Sequence, residues 1–72
     1  MSRGDHLELI GVVTDVYAGG YFKVKTENGA DIRAQLGGRM RKNRIRVLLG
    51  DRVTVKISPY DLTHGLIVYR HK

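Results

Sequence analysis

The sequence predicts an all-β domain of five short strands, and three observations predict it. Val and Ile together supply thirteen of the 72 residues, and β-branched side chains favour the pleated backbone. Nine Gly and one Pro cut the chain into short runs. No window sustains a helical apolar stripe beyond about two turns. With no Cys and only three separated His, neither a disulfide framework nor a Cys/His zinc site is available, so apolar packing must hold the fold. A chain of this size makes one domain, 1–72, that buries roughly 60% of its unfolded surface and has no room for a deep catalytic cleft. Residues 1–5 and 71–72 are expected to be flexible.

The first strand is predicted from Leu7 to Tyr17, with Leu7, Leu9 and Val13 inward and a bend at Ile10-Gly11, where Gly permits the curvature a closed barrel requires. Tyr17-Ala18-Gly19-Gly20 turns the chain into a second strand, Tyr21 to Thr26. There the period of two puts Phe22 and Val24 on one face and Tyr21, Lys23 and Lys25 on the other. Glu27-Asn28-Gly29 is a hairpin signal, because Asn-Gly tolerates the positive φ of tight β-turns. The third strand, Ala30 to Leu36, points Ile32, Ala34 and Leu36 inward and Asp31, Arg33 and Gln35 outward.

After Gly37-Gly38 the alternation stops. Arg39 to Asn43 can form one helical turn with Met40 on the core, and Ile45, Val47, Leu48 and Leu49 are expected to tie the chain back down. Gly50-Asp51 turns into a fourth strand, Arg52 to Ile57, with Val53, Val55 and Ile57 inward. Ser58 to Gly65 is predicted as a loop from Pro59, Asp61 and Gly65. Leu66 to Arg70 forms a fifth strand whose mixed pattern leaves its buried face open.

Charge is concentrated rather than spread. Between Arg33 and Arg46 lie Arg33, Arg39, Arg41, Lys42, Arg44 and Arg46 with no Asp or Glu, whereas the rest of the chain carries seven basic and seven acidic residues. The net +6 is therefore a local patch. Crowded guanidinium groups gain nothing from a compact fold unless a polyanion neutralises them, which points to a phosphate backbone. A patch that merely solvates the surface would interleave signs, and this one does not.

Five strands with a helical turn between the third and fourth is the order of an OB-fold, a Greek-key barrel that binds oligonucleotides across its second and third strands and flanking loops. A small SH3-like barrel is the structural rival; the interruption after the third strand favours the OB reading. Tyr21, Lys23, Lys25, Arg33 and Gln35 would then form an outward face with a stacking ring among phosphate-seeking groups.

The run Gly38-Arg39-Met40-Arg41-Lys42-Asn43 with Ile45-Arg46-Val47-Leu48, then Gly50-Asp51-Arg52-Val53-Thr54-Val55, Ser58-Pro59-Tyr60-Asp61-Leu62 and Ile67-Val68-Tyr69-Arg70, resembles bacterial translation initiation factor 1. Phe22-Lys23-Val24 and Glu27-Asn28-Gly29 fit the same pattern. The resemblance implies an S1-like OB-fold protein that occupies the aminoacyl-tRNA site of the small (30S) ribosomal subunit. There it would contact 16S rRNA and a neighbouring ribosomal protein, block elongator tRNA and assist the other two initiation factors. By position it assigns RNA contacts to Arg39, Arg41, Lys42 and Arg46, and Asn43, in the same run, is expected to join them. The family usually has His-Ile-Ser-Gly where this chain has Gln35-Leu36-Gly37-Gly38, often Tyr at Arg44, and basic residues at His64 and Leu66. Weaker RNA contact is therefore expected along the last strand.

Two other readings use the same patch. A cold-shock-type RNA chaperone needs several aromatic residues on adjacent strands, and here only Tyr21 is placed for that role. A protein-interaction module would dock the patch on an acidic surface. An enzyme is not expected: Ser2 and Ser58 lie in no nucleophile motif, and Gly37-Gly38-Arg39 is not a P-loop. No cofactor or metal is expected. With no signal peptide and no apolar run long enough to span a bilayer, the expected setting is the cytoplasm, and the expected free state a monomer.

Overall fold

The computed structural model describes residues 7–71. Five strands and one short helix follow in the order β1 (Leu7–Tyr17), β2 (Tyr21–Thr26), β3 (Asp31–Leu36), α1 (Gly38–Lys42), β4 (Arg52–Ser58) and β5 (Asp61–His71). They close a barrel in the order β1-β2-β3-β5-β4, with β4 pairing back onto β1. All pairings are antiparallel except that of β3 with β5. This is the predicted five-stranded OB-type barrel with one helix between β3 and β4.

The core follows from alternation. Val13, Phe22, Val24, Ile32, Ala34, Val53, Val55, Ile57 and Ile67 are buried from the strands, and Met40 and Val47 close one side from the connection. Each large aliphatic among them contributes about 1.5–3 kcal/mol by leaving water. β1 is long because it serves two neighbours, pairing through Leu7–Val12 with β4 and through Gly11–Tyr17 with β2. Gly11 sits where the two pairings overlap, and a Cβ there would lie 2.6 Å from both the Lys25 carbonyl oxygen and Val24 Cγ1. Close approach of β1 to β2 thus requires the glycine. The register irregularity itself comes further on, between Val13 and Asp15.

The β2–β3 turn is locked by Thr26, the one buried polar residue among those described. Its hydroxyl bonds the Asn28 side chain and accepts the Ala30 N–H at 3.1 Å, while Gly29 takes the positive φ of 89°.

Several expectations are corrected. Leu7, the first described residue of β1, is exposed although its partner Ile57 is buried, and Leu9 packs on the core. Leu48 and Leu49 are also exposed; Val47, buried, and Ile45, partly buried on the core, are the apolar anchors of that segment, and polar contacts do the rest. Asp51 Oδ2 accepts the Leu48 N–H at 2.8 Å and lies 3.2 Å from Arg70 Nε, and Gly50 N–H donates to the Val13 carbonyl at 2.8 Å.

The predicted loop from Ser58 to Gly65 shrinks to the turn at Pro59-Tyr60, because Ser58 pairs with Asp61 and the strand starts at once. Gly65 is not a turn residue but a close-packing one: a Cβ would meet Ile57 Cγ2 at 2.6 Å. At the other end β5 continues through His71, which pairs with Arg52 and bonds Thr54 Oγ1 through Nε2 at 2.7 Å. The ordered strand therefore runs one residue past the expected end at Arg70. Residues 1–5 and Lys72, also expected to be flexible, lie outside the described residues.

Candidate nucleic-acid interface

The basic stretch splits into two surfaces. On the barrel wall, β2 and β3 pair Tyr21 with Gln35, Lys23 with Arg33 and Lys25 with Asp31. The predicted outward face therefore exists as a ladder, with Tyr21, Lys25 and Arg33 exposed and Lys23 and Gln35 half-buried. It is not uniformly basic, since Asp31 Oδ2 lies 4.0 Å from Lys23 Nζ. A groove of about 430 Å³ runs beside it, lined by Tyr17, Lys23, Asp31, Arg33, Thr63 and His64 among others.

The second surface is α1 and the segment after it. Met40 is the only buried residue of the helix, and that single apolar anchor, with the packing of α1 on β3 and β5, turns Arg39, Arg41 and Lys42 to solvent. All three lie in the last turn, where cations face the negative end of the helix dipole. No acidic side chain sits in the first turn.

The helix ends in a two-bond stop. Arg44 N–H donates to the Arg41 carbonyl at 3.2 Å and Ile45 N–H to the Met40 carbonyl at 3.0 Å, the pairing of a Schellman motif. Asn43 is the C-cap, with its N–H on the Arg39 carbonyl at 3.1 Å; its exposed side chain stands next to Lys42. The following residue must be left-handed, a place usually held by Gly. Here it is Arg44, at a φ of 55°, which costs on the order of 1 kcal/mol. Ile45 then packs on the core, and Arg46 is exposed just before buried Val47. Arg39, Arg41, Lys42, Asn43 and Arg46 are thus held on one short, tightly turned segment, while Tyr21, Lys23, Lys25, Arg33 and Gln35 stand on the strands.

Two contributors were missed in the sequence. Lys56 shares with Arg39 and Leu66 the lining of a hollow of about 350 Å³ under the start of α1; its outward place in the alternation of β4 was the available signal. His64 lines the β2–β3 groove because β5 starts early, and its partner in β3 is Arg33. Asp61 ties this corner together. Its Oδ1 accepts the Thr63 hydroxyl at 2.7 Å and the Thr63 N–H at 3.1 Å, and its Oδ2 lies 3.0 Å from His64 Nδ1. Those bonds, from the Thr63 hydroxyl first, then its N–H and His64, hold the Asp61 carboxyl below its ordinary value.

Among the described residues no three His, Asp or Glu converge as a metal site, and no helix is long and apolar enough to cross a membrane. What the arrangement offers is fixed guanidinium forks on an open surface, suited to phosphates and to the planes of unstacked bases.

Known proteins carry the same pattern. A family model described as translation initiation factor 1A / IF-1 matches residues 1–72. Translation initiation factor IF-1 of Oenococcus oeni is 53% identical over 72 residues, all of both chains, and that of Rickettsia bellii strain OSU 85-389 is 51% identical over 72 residues, covering 100% of this chain and 99% of the relative. In the solved structures, the translation initiation factor of the same name from the Wolbachia endosymbiont strain TRS of Brugia malayi superposes with a TM-score of 0.81 at 35% identity, over 96% of this chain and 82% of that one. YloQ, a circularly permuted GTPase, contains a similar barrel, with a TM-score of 0.77 at 21% identity over 100% of this chain and 25% of that one; that likeness is of fold alone. The curated relatives are translation factors and not enzymes, and this chain, matched over its whole length, belongs to the translation initiation factor 1A / IF-1 family.

Proposed function

We propose that this chain acts in translation initiation by binding the small ribosomal subunit at its aminoacyl-tRNA site, through 16S rRNA and a neighbouring ribosomal protein, in the cytoplasm. Bound there it excludes elongator tRNA and supports the other two initiation factors. The observation that carries the reading is the acid-free run from Arg39 to Arg46, held on α1 and its Schellman stop by a single buried methionine. A five-residue helix adds little stability of its own, so α1 is held by Met40 and by the hydrogen bonds at its end rather than by helix propensity. In the mechanism the barrel is the rigid body that blocks the site. Arg39, Arg41, Lys42 and Arg46 clamp phosphates as charge-assisted donors, Asn43 adds a neutral donor and acceptor, and the β2–β3 ladder with Tyr21, Lys23, Lys25, Arg33 and Gln35 meets RNA along its flank.

Sedimentation of the protein with separated ribosomal subunits tests this. The expected result is co-pelleting with small subunits and not with large ones. Equal pelleting with both, or with neither, leaves only a basic OB module, either a single-strand RNA chaperone or a protein-docking patch.

A further inference from the structure

Sulfur is rare in this chain and sits where the α1 surface depends on it. With no Cys and two Met, the only sulfur atoms are those of Met1 and Met40. Every other buried apolar side chain among the described residues is Val, Ile, Ala or Phe, so Met40 is the one member of the core that a mild oxidant can change. It is also the sole buried residue of α1, and its carbonyl takes the Ile45 N–H of the Schellman stop. Buried is not sealed here. Met40 lines both the hollow of about 350 Å³ that it shares with Gly38, Leu66 and Val68 and a second of about 250 Å³ that it shares with Ile45, Tyr69 and Arg70; the two have no other residue in common. A five-residue helix is marginal by itself, so the segment over the sulfur opens more easily than the barrel beneath it.

We propose that Met40 is a modification site for peroxides, and that its sulfoxide releases α1 from the barrel and so weakens RNA binding. A sulfur lone pair attacks one oxygen of hydrogen peroxide, the O–O bond breaks, and the other oxygen leaves as water with both protons; the thioether is oxidised by two electrons and the peroxide reduced. The product is a polar acceptor at a position filled by an apolar chain. The side-chain donors lining the two hollows are Arg39, Lys56, Tyr69 and Arg70. Arg39 and Tyr69 are exposed and Lys56 half-buried, while Arg70 faces Asp51. A sulfoxide that turns toward them leaves the core, and one that stays buried lacks a partner. Either way α1 loses its one apolar anchor, and the arginines it carries lose their fixed places. Methionine sulfoxide reductases return the sulfoxide to the thioether, which makes the change reversible. The effect on affinity rests on the RNA-binding reading; the release of α1 rests on its packing alone.

The test treats the native protein and Met40→Leu, a change of nearly equal volume, with dilute hydrogen peroxide and follows each methionine by peptide mass spectrometry, with Met1 as the reference in both. Native protein oxidised at Met40 should keep its strand signal in circular dichroism and be cut by trypsin between Arg39 and Arg46 about tenfold faster than before, the shift expected from one unpaired polar group in the core. Its binding to small subunits should weaken by a similar factor. Methionine sulfoxide reductases with dithiothreitol should restore both. Met40→Leu should show the same cleavage rate and the same affinity before and after peroxide. Oxidation of Met1 without Met40, unchanged cleavage or affinity of the Met40 sulfoxide form, or an equal peroxide effect in Met40→Leu overturns the proposal. Faster cleavage on oxidation in a protein that binds small subunits in neither state supports the release of α1 and overturns the RNA-binding reading instead.

Discussion

The barrel wall and the arc from Gly37 to Asp51 are shaped by different forces. In the wall, position is set by burial: Phe22, Val24, Ile32, Ala34, Val53, Val55 and Ile67 point inward because every second residue must, and charge is mixed in sign, with Asp31 beside Lys23. In the arc, burial sets almost nothing. Met40 and Val47 are its only buried side chains, with Ile45 partly buried, and the backbone is held by hydrogen bonds: Gly37 N–H to the Ile67 carbonyl, the Schellman stop at Arg44, Gly50 N–H to the Val13 carbonyl, and the Asp51 carboxylate that takes the Leu48 N–H and faces Arg70. A segment fixed by polar contacts leaves its side chains free to be chosen for a partner. The wall makes the fold, and the arc is where we propose the main RNA contact.

The largest effect that can break this contrast is in the wall. Phe22→Ala should cost about 3–5 kcal/mol, close to the whole stability of so small a domain, so that circular dichroism shows a largely unfolded chain. A thermal midpoint near that of the native protein would mean that the wall is not held by burial.

In the arc the same truncation should do the reverse. Arg41→Ala and Arg46→Ala should each leave folding unchanged and weaken binding to small subunits by about 1.5–3 kcal/mol, as loss of a charge-assisted bond does, in titrations at one salt concentration. Arg44→Ala should cost under about 1 kcal/mol of binding. Equal losses at all three would make the arc a diffuse cloud of charge, with no placed contacts.

A smaller effect sharpens the comparison at its hinge. Because Arg44 sits at a φ of 55°, Arg44→Gly should stabilise the fold by up to about 1 kcal/mol, raising the thermal midpoint by roughly 4–8 °C per kcal/mol for a domain of this size. A lower midpoint would show that the Arg44 side chain holds the arc in place.

The same contrast explains what the sequence made legible. Strands β2, β3 and β4 could be read almost to the residue, because Phe22, Ile32 and Val53 report burial with a period of two. The helical turn was legible from the break after Gly37-Gly38, and Met40 from being the one large apolar residue within it. What misled was any residue whose type serves two purposes. Gly65 reads as a turn, yet it is the point where β5 crosses close over Ile57, so the first half of β5, and with it His64 in the groove, was hidden. Leu48 and Leu49 read as anchors, yet a turn capped by Asp51 does not need them buried. The positive φ at Arg44 had no sequence signal at all, since the residue is neither Gly nor Asn.

The central proposal, that the arc carries most of the RNA affinity and the wall only a minor flank of it, is tested most directly by the salt dependence of binding to small ribosomal subunits. The native protein should show a log–log slope on the order of −4 to −5. The combined Arg39→Ala, Arg41→Ala and Lys42→Ala variant should lose about 2 of it at the single-strand coefficient, and the combined Lys23→Ala and Lys25→Ala variant well under 1. A slope that falls as far for the wall variant as for the arc variant would contradict the account.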